Sequence, residues 1–65
     1  MTNQETIILT WDKIQATTPL AVLFVFGDDD VWIPKSQIKD LDQEDKTLEI
    51  PLWLAEEKEI EDYEE

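Results

Sequence analysis

The stretch from Leu20 to Ile38 constrains this chain more than any other: Leu-Ala-Val-Leu-Phe-Val-Phe, then Gly-Asp-Asp-Asp, then Val-Trp-Ile-Pro-Lys-Ser-Gln-Ile. An apolar run this short cannot cross a bilayer, which takes about 20 residues in a helix, and it lacks the spacing of an amphipathic helix. Rich in β-branched and aromatic side chains, Leu20 to Phe26 predicts a central strand buried on both faces. Gly27, the only glycine, opens a short acidic connection, Gly27 to Asp30, into a second strand at Val31 to Ile33. A β-hairpin is the expected unit.

The flanking segments read as partners for that hairpin. From Thr6 the chain alternates, with Ile7, Leu9 and Trp11 on one face of a half-buried strand. Gln15 to Pro19 then reads as a turn, because Pro19 lacks an amide hydrogen and biases Thr18 towards extended backbone; the first strand would return to pair with the central one. Pro34 ends the third strand, and Lys35 to Ile38 suits a single 3₁₀ turn with Ile38 pointing inward. Asp40 to Lys46 is nearly all charge and reads as a loop, with Leu41 as its anchor. Thr47 to Ile50 alternates as a short strand. Pro51 suits the first position of a helix through Leu52 to Lys58, which would put Trp53 and Ile60 on one face. Past Ile60 the acids oppose the helix dipole, so fraying is expected there.

A chain of 65 residues makes one domain, here a polar lead-in at 1–5, a folded unit at 6–60 and an acidic tail at 61–65. Glu61 to Glu65 lack the apolar spacing to bury anything except Tyr63, so the fold is expected not to need them. With 42% hydrophobic residues the chain is too apolar for disorder, although its net charge is -12. That charge is uneven: residues 1–39 hold five acids against three lysines, a net of -2, while residues 40–65 hold twelve acids against two lysines, a net of -10. Without arginine or clustered lysines, direct nucleic-acid binding is not expected. There is no cysteine, no apolar leader and no membrane-length run, which leads us to expect a soluble, cytoplasmic protein without a membrane partner.

The run Val31-Trp32-Ile33-Pro34-Lys35-Ser36-Gln37-Ile38, followed by Ile50-Pro51-Leu52-Trp53-Leu54-Ala55-Glu56-Glu57-Lys58, resembles a family of small phage and bacterial proteins with Trp-Ile-Pro-Lys-Ser-Gln-Ile and Ile-Pro-x-Trp-Leu-Ala-x-x-Lys stretches. The resemblance implies no activity. Where that pattern has an acid after the second proline and a glycine after the last lysine, this chain has Leu52 and Glu59. The order strand, proline, short turn, strand also resembles the end of an SH3-type barrel, with Pro34 and Ile38 in the 3₁₀ positions. Ile38 stands where a peptide groove needs tyrosine, so the likeness does not imply proline-rich ligands. The expected fold class is therefore mainly β: a small antiparallel, SH3-like barrel of four or five strands with a short C-terminal helix.

Chemistry is limited by inventory. With no histidine, cysteine or arginine and a single serine and glycine, neither an activated nucleophile nor a phosphate-cradling loop can be assembled, so an enzyme and a cofactor are not expected. Ser36 beside Lys35 diverges from it and suits the turn instead. Asp28-Asp29-Asp30 and Asp40-x-Asp42-x-Glu44 offer hard oxygen ligands, but neither completes a calcium loop, since the glycine position after Asp40 is Asp45. Solvated acids are the expected reading, with no metal site.

Binding is the remaining class. A barrel this small cannot enclose Trp11, Trp32 and Trp53 together with Phe24 and Phe26, so a tryptophan beside acids is an expected hot spot, Trp53 with Leu52 first. If residues 56–65 were helical they would span about 15 Å and carry roughly one carboxylate per 2 Å, close to the one charge per about 1.7 Å of duplex DNA. The sequence thus points to a protein partner with a basic, nucleic-acid-binding surface, contacted by Asp40, Asp42, Glu44, Asp45, Leu52, Trp53, Glu56, Glu57, Glu59, Glu61 and Asp62. A phage- or bacterium-encoded inhibitor that mimics nucleic acid is one reading. An accessory interaction module, open to forming a homo-oligomer, with charge serving only solubility, is the other.

Overall fold

The computed structural model describes residues 5–65, so residues 1–4 of the expected lead-in lie outside the described residues. The described residues are mainly β, with six antiparallel strands in two three-stranded sheets: β1 (Thr6–Thr10), β2 (Lys13–Thr17), β3 (Ala21–Phe26), β4 (Asp29–Pro34), β5 (Asp40–Asp42) and β6 (Thr47–Pro51). One helix, α1 (Leu52–Lys58), follows β6, and 3₁₀ turns stand at Lys35–Gln37 and Glu61–Tyr63. The sheet orders are β1-β6-β5 and β2-β3-β4. No helix among the described residues is long and apolar enough to cross a membrane.

Six strands replace the four or five expected, because two polar segments are recruited by pairing rather than by apolar pattern. The first strand ends at Thr10, and the chain changes sheets within one dipeptide: the Trp11 amide donates to the Lys46 carbonyl (3.0 Å), and the next amide, of Asp12, donates to the Val25 carbonyl (2.7 Å). Lys13 to Thr17 then forms an edge strand against β3, with a bulge between Ile14 and Ala16. The segment expected to turn is thus largely strand. The true turn is Thr18 to Ala21, where the Thr18 hydroxyl accepts from the amides of Leu20 (3.3 Å) and Ala21 (3.0 Å). Leu20 accordingly sits outside the central strand and is 81% exposed.

Pairing also differs from expectation. Strand β1 pairs with β6, Ile7 opposite Ile50 and Leu9 opposite Leu48, and not with the central strand. Within the segment expected to be a loop, Asp40 to Asp42 pairs with β6, Leu41 opposite Leu48. Its return to β6 is fixed by Asp42, whose Oδ1 accepts from the amides of Glu44 (2.9 Å) and Asp45 (3.0 Å).

The hairpin expected at Gly27 is present but tighter, since Asp29 and Asp30 belong to β4 and Phe26 pairs with Asp29. Gly27 has φ 59° at the first position of this two-residue turn, a conformation that L side chains rarely adopt. Its amide donates to Asp12 Oδ2 (2.9 Å), which ties the turn to the point where the chain changes sheets. The sheets enclose Leu9, Trp11, Val22, Phe24, Phe26, Ile33, Leu48 and Ile50, with Leu54, Ala55 and Ile60 closing the core. Trp11 packs its ring 5.3 Å from that of Phe24, although its buried indole N–H finds no acceptor among the described residues.

Candidate interaction site

Helix α1 is launched by the backbone. Pro51, expected as the first helical residue, is instead the last of β6, with φ -60° and ψ 142°, and turns the chain at Leu52. The Leu52 amide, an orphan at the helix start, donates to the Glu5 carbonyl (2.9 Å), so β1 and α1 are joined where both begin. Leu54 and Ala55 face the core. Trp53 is turned outward and 52% exposed, with Glu56 one turn on and Leu52 half-buried beside it. Glu5, Leu52, Trp53 and Glu56 line an open cleft of about 260 Å³. Among the described residues its walls are an indole and a leucine, and its charged groups are both carboxylates.

The helix stops after two turns. Glu59 has φ 60°, the left-handed conformation usually given to glycine; its amide donates to the Glu56 carbonyl (3.1 Å) and the Ile60 amide to the Ala55 carbonyl (2.9 Å). This is a Schellman closure with Ile60 as its apolar lock. Ile60 is 1% exposed, so Trp53 and Ile60 do not share a face: the chain has left the helix before Ile60 is placed.

The C-terminal residues are docked rather than frayed. After Ile60 the chain forms the 3₁₀ turn Glu61–Tyr63; Glu64 bridges Leu9, and the Glu65 amide donates to the Ile8 carbonyl (2.8 Å). The Tyr63 ring lies 5.3 Å from that of Phe26, against Gly27, and its hydroxyl donates to Asp29 Oδ2 (3.1 Å). That hydrogen bond raises the Tyr63 pKa above its ordinary value, helped by burial and by the charges of Asp29, Asp28 and Asp62.

The expected contact residues therefore divide into two groups. Leu52, Trp53, Glu56 and Glu57 lie on α1, with Glu59, Glu61 and Asp62 just beyond it; all but Leu52 are exposed. Asp40, Asp42, Glu44 and Asp45 belong to β5 and its turn, and β6 separates them from β1 and the docked C-terminus. Residues 56–65 form no continuous helix, so the regular line of carboxylates is not present. Glu5, assigned to the lead-in by sequence, is part of the cleft. The link that places it there joins opposite ends of the chain and leaves no local signature. Among the described residues no group of three or more acids is arranged to hold a metal ion. Comparison with family models, curated proteins and solved structures finds no match.

Proposed function

We propose that this protein is a non-enzymatic acidic binding module, which engages a basic, nucleic-acid-binding protein surface through the face built by α1 and the docked C-terminus. The observation that carries this reading is Trp53, half exposed beside Leu52 in a cleft whose charged groups are Glu5 and Glu56. A large ring set among acids supplies short-range contact, while the net charge of -12 speeds encounter with a cationic partner. Mimicry in this form rests on a compact anionic patch, not on a helix spaced like a phosphate backbone. An SH3-like arrangement belongs to the same reading, supported by the two sheet orders and by the 3₁₀ turn between β4 and β5.

The test is affinity capture from nuclease-treated bacterial lysate at low and raised salt, with Trp53→Ala and Glu56→Gln in parallel. Recovery of a basic nucleic-acid-binding protein that is displaced by duplex DNA, lost at high salt and weakened by both substitutions supports the proposal. Capture indifferent to DNA and to both substitutions contradicts it. The second reading, an accessory module, is favoured by one observation: Trp32, opposite Leu23 in the β2-β3-β4 sheet, is 43% exposed.

A further inference from the structure

Directly opposed residues in an antiparallel pair project from the same face. In the β2-β3-β4 sheet, Phe24 opposite Val31 and Val22 opposite Ile33 point into the core: Phe24, Val22 and Ile33 belong to the core cluster and Val31 packs against it. The alternate rows point away from it. One is Lys13, Val25 and Asp30; the next is Ala16, Leu23 and Trp32. Val25, Leu23 and Trp32 are absent from the core cluster, and Trp32 is 43% exposed. A second apolar row thus lies on the far side of β3, with Trp32 exposed, Leu23 partly covered and Val25 down to 9% exposure between its neighbours.

We infer that this outer face binds a second copy of the same chain, forming a two-fold dimer. Its charge and shape select that occupant. The two rows hold one lysine and one aspartate, a neutral surface on a chain whose net charge is -12. Most of the twelve acids from Asp40 onward belong to the other sheet and the segments attached to it, and Asp29, paired with Phe26 on the inner row, turns to the Tyr63 hydroxyl, so Asp30 is the one acid on the two outer rows. A two-fold axis along β3 lays the rows of one copy over those of the other, with β2 above β4. Lys13 then meets Asp30 of the second copy, and Ala16 leaves room for its Trp32, each pair occurring twice, while Leu23 meets Leu23 on the axis. The face is complementary to itself in charge and in size. Three strands spaced about 4.8 Å and the three residues from Leu23 to Val25 at about 3.3 Å each give a patch of roughly 14 by 10 Å. That is small against the roughly 800 Å² per partner of a standard interface, so the dimer is weak and fills only as concentration rises.

The test is sedimentation velocity of the full chain from about 10 μM to about 1 mM, the range in which weak association is read. The weight-average mass should climb from 7.7 kDa towards twice that value. Lys13→Asp and Asp30→Lys should each raise the dissociation constant at least about tenfold, while their equimolar mixture restores it, because each variant supplies the charge that the other lacks. Trp32→Ala should abolish association and Trp53→Ala leave it unchanged, with circular dichroism confirming that each variant folds. A wild-type chain that stays monomeric throughout overturns the inference. So does an Asp30→Lys variant that associates more tightly than wild type, which would show net charge alone in control, or a mixture that fails to associate.

Discussion

Glu59 occupies the left-handed end of α1 with a side chain, and replacing it tests how the helix and the C-terminal segment are joined. An L residue held at φ 60° carries a steric penalty of about 1–2 kcal/mol that glycine escapes, partly offset by the greater freedom glycine has when unfolded. Glu59→Gly should therefore gain about 1 kcal/mol from the backbone. Removing a negative charge from the C-terminal end of the dipole adds about 0.3–1 kcal/mol at low salt. For a domain of this size each kcal/mol moves Tm by roughly 4–8 °C, so thermal melts followed by circular dichroism should rise by about that much or somewhat more. Glu59→Gln isolates the charge and should recover only the smaller, salt-sensitive part. Equal gains from both variants, or a fall in Tm for Glu59→Gly, would refute the left-handed closure.

Three further outcomes follow from the packing. Trp53→Ala should leave stability within about 0.5 kcal/mol, since the ring is half in water, whereas Phe24→Ala, fully buried, should cost about 3–5 kcal/mol; urea melts separate the two, and equal losses would place Trp53 in the core. Deleting residues 61–65 should destabilise by about 1–3 kcal/mol through loss of the Tyr63 packing and the link to Ile8, seen as a lower urea midpoint; an unchanged midpoint would return the segment to the status of a free tail. Tyr63, the only tyrosine, holds its proton more tightly folded than unfolded, so its contribution is complete below the unfolded value near pH 10 and is lost as pH rises through the folded one. Absorbance titration of the phenolate should give a midpoint above that of the unfolded chain, and Tyr63→Phe should lose less stability than wild type between about pH 9 and 11. A midpoint equal to that of the unfolded chain would remove the hydrogen bond to Asp29.

What was legible in the sequence was local. The run ending at Phe26, the turn at Gly27, the alternation at Thr47 to Ile50 and the prolines at 34 and 51 each carry their own conformational instruction, and each marks a real element. The missed elements depend on distant partners. Strand β2 has only Ile14 and Ala16 half-buried, and its edge is set by the bonds that Asp12 makes to Val25 and Gly27. Strand β5 is two aspartates around Leu41, a charged edge of the kind that resists further pairing. The helix end is not legible locally because Glu59 is a poor residue for its conformation; burial of Ile60 and the two closing hydrogen bonds impose it. At the candidate site the exposed Trp53 followed from counting how many rings a small core can hold, while Glu5 did not follow from anything nearby. Burial of β3 on both faces holds in part: on its outer row Val25 is buried, while Ala21 and Leu23 are only partly covered.

The central claim is that α1 and the docked C-terminus form the binding face, with Trp53 as anchor. It is tested most directly by following the three indole N–H resonances, of Trp11, Trp32 and Trp53, by NMR while the captured basic protein is titrated in. The account requires the Trp53 signal to shift or broaden, the buried Trp11 signal to stay, and added duplex DNA to restore the free spectrum. A Trp53 signal that stays in place while that of Trp32 moves, or a complex that DNA fails to displace, would contradict it.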